Sequence, residues 1–84
     1  MYSIVFTDLS KKQLNKFPKV IRQRIINTLK RCRIRPHAYI KKLTGNKYFR
    51  LRVGDYRVII DIQDNEFRIL VIEMAHRKKI YKNG

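Results

Sequence analysis

The chain is short of several things, and each shortage removes a class of protein. A single cysteine among 84 residues excludes an internal disulfide and any multi-cysteine metal site. Three glycines and two prolines form neither a Gly-rich phosphate loop nor a low-complexity linker. No apolar run approaches the roughly 18 to 20 residues of a membrane-spanning helix; the longest, Ile69-Leu70-Val71-Ile72, is strand-sized. The opening MYSIVFTDLS has neither the charged start nor the long apolar stretch of a signal peptide, so the cytoplasm is expected and a membrane is not. Scarcest of all is negative charge. Six Asp and Glu face 21 Lys and Arg, for a net charge of +15, and no acid occurs between Leu9 and Gly54.

What is present fits one small domain over residues 1–84. A hydrophobic fraction of 44% is enough for a globular core and argues against disorder. Charge of one sign at this density repels itself and weakens the compact state. Such a chain gains most from a polyanion or an acidic protein partner. Cys32 falls among apolar helix positions, where packing is its expected role.

Along the chain the hydrophobic period changes once. Tyr2, Ile4 and Phe6 alternate, as in a short strand. Thr7 or Asp8 can cap a first helix reaching about Lys16, with Leu14 and Phe17 inward. Pro18 suits the first turn of a second helix, in which Ile21, Ile25, Leu29 and Cys32 recur at helical spacing. Arg22, Arg24, Lys30 and Arg31 then point outward, and Pro36 ends the helix. His37 to Asn46 reads as a loop. From Lys47 the period is two: Phe49, Leu51 and Val53 share one face, and Tyr48, Arg50 and Arg52 the other. Gly54-Asp55 turns the chain into a strand over residues 56–62, and a second turn at 63–66 leads into a strand over 67–75. The expected fold is α+β, in the order β-α-α-β-β-β: a four-stranded, mainly antiparallel sheet with a helical hairpin on one face.

The other sheet face is the chemical one. Arg50 and Arg52 share it, and Arg57 can join them from the next strand. An arginine fork matches phosphate oxygens two at a time. For a single outward Arg a solvated face is the plainer reading, but three converging in so basic a chain point to phosphate. Asp61 alternates onto the same side and reads as an ion-pair partner. His76, whose side chain titrates near neutrality, and Tyr81, whose ring can stack on a base, lie at the end of the chain with Arg77. Ser3 and Ser10 lack a hydrolase motif, no zinc spacing occurs, and paired carboxylates for a metal are absent from the basic face. No metal or other cofactor is expected, and phosphodiester cleavage would proceed without one.

The stretches YFRLRVGDYRVII and RILVIEMAHRKKIY, with the opening IVFTDLSKKQLNKFP, resemble the RelE/ParE superfamily of type II toxin–antitoxin toxins across essentially the whole chain. The basic cluster and terminal aromatic resemble the RelE branch more than the gyrase-directed ParE branch. The resemblance implies a ribosome-dependent messenger RNA endoribonuclease that attacks through the 2′-hydroxyl in the A site, leaving a 2′,3′-cyclic phosphate and inhibiting translation. It implies a cognate antitoxin, the ribosome and mRNA as partners. It maps the family's sheet cations onto Arg50 and Arg52, its turn-following arginine onto Arg57, its last-strand arginine onto Arg77 and its terminal tyrosine onto Tyr81. His76 stands where some relatives have Lys, and Lys41, Lys42 and Lys47 are further RNA-binding candidates. Relatives commonly carry Lys at the two sheet positions. Arginine stays protonated, with a pKa above about 12, so Arg50, Arg52, Arg57 and Arg77 are expected to bind phosphate and stabilise charge while His76 or Tyr81 moves the proton. The alternatives are a gyrase inhibitor that catalyses nothing and a catalytically weak RNA-binding homologue.

Overall fold

The computed structural model describes residues 1–43, 45 and 47–76. Strand β1 (Ser3–Phe6) leads into helices α1 (Asp8–Lys16) and α2 (Lys19–Cys32), followed by a single helical turn, α3 (Pro36–Tyr39). Then come β2 (Lys41–Lys42), β3 (Phe49–Val53), β4 (Tyr56–Gln63), a 3₁₀ turn (Asp64–Glu66) and β5 (Arg68–His76). The α+β architecture matches expectation, with one more strand than the sequence pattern shows. The sheet has five strands in the order β1-β5-β4-β3-β2, with β1 parallel to β5 and every other pair antiparallel.

The extra elements fall in the stretch expected to be a loop. Pro36 starts α3 rather than ending α2, because a fixed φ and a missing N–H suit a first helical turn. Two exposed lysines then pair with β3, Lys41 opposite Arg50 and Lys42 opposite Phe49. The last turn closes on Phe67 at φ 49°, a left-handed position usual for glycine. Its ring meets Tyr2 edge-on at 5.6 Å.

The core lies between the sheet and α1 and α2. Ile25, Leu29 and Cys32 of α2 and Leu14 of α1 meet Leu51, Val53, Val58, Ile60, Ile69, Val71 and Met74 of the sheet. All but Met74 are the residues that the 3.6 and two-residue periods mark as inward; an unbroken alternation through Ile69 and Val71 would turn Met74 outward. Arg22, expected to point outward, is half-buried. Burial pushes the Cys32 thiol up from its ordinary value, which keeps it an unreactive packing group.

One irregularity joins the layers. Ile59 pairs with Glu73 but Ile60 with Val71, so Ile72 is an extra residue in β5. A bulge of this kind frees backbone groups from the ladder. Helix α1 takes them up: the Thr7 hydroxyl donates to the Ile72 carbonyl at 2.7 Å, and the Met74 N–H donates to Gln13 Oε1 at 2.6 Å. The same Thr7 oxygen caps α1 by accepting from Ser10 N–H at 3.1 Å. Thr7→Ala is therefore expected to destabilise the fold by about 1–2 kcal/mol, with Thr7→Ser restoring most of it, as measured by urea denaturation.

Candidate nucleic-acid interface

The β3–β4 register builds the basic face. Arg52 lies directly opposite Arg57, and Arg50 lies opposite Ile59 one step along the same side. The short β2 strand adds Lys41 opposite Arg50. Four cations therefore share the side of the sheet away from α1 and α2, and no described helix covers it. Like charges directly opposite each other disfavour strand pairing, and Arg52 and Arg57 face each other in this way. Arg50 and Arg57 are half-buried and Arg52 is exposed. Arg52 turns toward the hairpin, its Nε donating to the Gly54 carbonyl at 3.3 Å.

The remaining candidates are placed differently. Lys42 shares the Phe49 side of β2, and Lys47 is exposed with its ammonium 5.2 Å from the centre of the Tyr48 ring. Asp61 accepts from Gln63 Nε2 at 3.2 Å. It lies on the same side of β4 as Arg57, four residues along the strand. His76 sits on the helical side, its ring edge-on to Tyr56 at 5.0 Å, while Tyr56 packs on Phe17 at 4.7 Å. The bulge is the reason: an unbroken alternation through Ile69 and Val71 would turn His76 to the arginine side, and the extra Ile72 reverses it. The structure thus brings Arg50, Arg52, Arg57 and Lys41 together and sets His76 across the sheet. Arg77 and Tyr81 lie outside the described residues.

A second polar cluster, unassigned from sequence, joins three distant segments. The Tyr2 hydroxyl donates to Asp64 Oδ1 at 2.6 Å, and His37 Nε2 lies 3.0 and 3.2 Å from the two Asp64 oxygens. The Tyr2 hydroxyl, and after it His37, hold the Asp64 carboxyl below the usual carboxylate range, and the same hydrogen bond raises the Tyr2 hydroxyl. The group is exposed, and the His37 ring also meets Phe49 edge-on at 5.6 Å. Nothing in the sequence signals it, since the partners are 27 and 62 residues apart.

Comparison with known proteins gives the family. Residues 4–81 match the family described as the ParE toxin of the type II toxin–antitoxin system parDE. The chain belongs to the RelE/ParE superfamily of toxin–antitoxin toxins. Among relatives, Toxin RelE3 of Methanocaldococcus jannaschii is 33% identical over 84 residues, covering 93% of each chain. The crystal structure of the RelB–RelE antitoxin–toxin complex from Methanococcus jannaschii contains a chain that is 31% identical, with a TM-score of 0.76 over 94% of this chain and 96% of that one. The RelBE2 toxin–antitoxin complex from Mycobacterium tuberculosis, 24% identical, shares the fold at a TM-score of 0.83 over 90% of this chain and 91% of that one. No helix among the described residues is long and apolar enough to cross a membrane.

A depressed carboxyl pKa stabilises the fold above the ordinary carboxylate value, and this contribution is lost as pH falls through the lowered one. The thermal midpoint of the wild type is therefore expected to fall more steeply below about pH 4 than that of Asp64→Asn, as followed by circular dichroism.

Proposed function

We propose that this toxin is a ribosome-dependent messenger RNA endoribonuclease held in check by a cognate antitoxin. The observation that carries the reading is the sheet face on which Arg50, Arg52, Arg57 and Lys41 converge. In-line attack of a 2′-hydroxyl on the adjacent phosphorus builds negative charge on the phosphorane oxygens. The bond from O2′ to phosphorus forms, the bond to the 5′-oxygen breaks, and the 2′-hydroxyl proton leaves as the 5′-oxygen gains one. Fixed guanidinium forks at that charge stabilise the transition state without themselves exchanging protons. Arg50 and Arg57 are the phosphate grip, and Arg52 and Arg77 are its companions. Proton transfer falls to Tyr81 ahead of His76, whose ring is held on Tyr56 across the sheet.

An antitoxin partner is supported by the solved relatives, which are toxin–antitoxin complexes. A surface this cationic in the free protein favours an acidic covering segment. The matching family description names ParE, which favours a second reading, inhibition of DNA gyrase without catalysis.

The test is purified protein on ribosomes programmed with a defined mRNA, with 5′ ends mapped by primer extension. Discrete cuts in the A-site codon are expected, and Arg50→Ala and Arg57→Ala should each slow single-turnover cleavage by on the order of 10²-fold with unchanged circular dichroism. Uncut message together with loss of gyrase supercoiling would replace the nuclease with the gyrase inhibitor.

A further inference from the structure

Helix α2 carries no acid, and its residues Arg24, Asn27, Thr28 and Arg31 fall on one stripe at helical spacing. That stripe looks across a cleft of about 270 Å³ at Arg52, Val53 and Gly54 at the end of β3. Three guanidinium-bearing side chains line this space and no carboxylate does. No acid lies anywhere between Leu9 and Gly54 to neutralise the stripe locally.

Three features of the fold build the cleft. Gly54, at φ +59°, has no side chain, and a Cβ there would lie 3.3 Å from Arg24 Nη1, so the Arg24 guanidinium reaches over the turn. The bond from Arg52 Nε to the Gly54 carbonyl draws that side chain round the hairpin into the same space. β2 ends its pairing at Arg50, leaving Leu51 to Val53 without a partner strand on this side among the described residues.

We propose that this cleft is a second phosphate-binding site, taking a phosphodiester of the RNA backbone away from the bond to be cut. Arg52 joins it to the basic sheet face, so a bound strand passes round the hairpin from the sheet to α2. The lining is mostly polar, with the Asn27 amide and Thr28 hydroxyl beside the guanidinium groups. This suits sugar and phosphate oxygens rather than the apolar anchors of a protein segment. The inference deepens the RNA-cutting reading and rests on it for the identity of the polyanion.

The test is binding of a 12-nucleotide single-stranded RNA, 2′-O-methylated so that it cannot be cut, measured by fluorescence anisotropy across a salt series. Arg24→Gln/Arg31→Gln is expected to weaken binding and flatten the slope of log K against log salt by about 0.7, one phosphate contact on a single strand. The charge-matched pair Lys12→Gln/Lys19→Gln, exposed residues outside the cleft, is expected to leave the slope within error of wild type. Circular dichroism melts confirm that both double variants fold. Equal effects of the two pairs would overturn the site, showing only diffuse attraction. So would unchanged RNA binding by the cleft pair with lost binding to a 12-residue polyglutamate peptide. Arg50→Gln/Arg57→Gln runs in parallel: if it binds RNA normally while the cleft pair does not, the sheet assignment fails and the cleft stands.

Discussion

Strict alternation along β3 and β4 is the constraint on which the molecule rests. Leu51, Val53, Val58 and Ile60 are buried on one side, while Arg50, Arg52 and Arg57 occupy the other. A slip of one residue in this pairing would drive guanidinium groups into the core and core residues into water. Burying an unpaired charge costs far more than any single contact returns, so the register is fixed by what it forbids. The same rule concentrates cations on one surface, where their mutual repulsion disfavours the compact state. Stability and function therefore pull against each other in these two strands.

The opposing pull is met through α1. Thr7 and Gln13 reach the backbone groups released at the β5 bulge, tying the helical layer to a central strand of the sheet. That tie is made of neutral hydrogen bonds, which salt screens far less than it screens attraction between surface charges. The bulge also decides which side each later residue of β5 faces, and so sets His76 beside Tyr56 rather than among the arginines.

How far the sequence could be read follows from how local each signal is. The helices, the β3–β4 hairpin and its arginine face were legible because their periods repeat within a few residues. β2 was not, since two exposed lysines carry no alternation to count. Pro36 was legible as a boundary but not as to which side of it the helix lay. The bulge left no mark in IEMAH, and with it went the side taken by His76. The Tyr2–Asp64–His37 cluster and the meeting of Arg24 and Arg31 with Arg52 are long-range, and only the folded chain shows them. Asp61 was placed on the correct side of its strand, and its contact with Gln63 two residues on was not foreseen.

The brevity of β2 has a consequence for how copies of this protein meet one another. Beyond Arg50, the outer rim of β3 has no neighbouring strand among the described residues, and such a rim is a template on which a second molecule could add a strand. Here the rim is flanked by Arg24, Arg31 and Arg52, so an identical chain approaching edge to edge brings its own cations against these. The charge that invites a polyanion also keeps like molecules apart, and at high concentration it guards the sheet from growing.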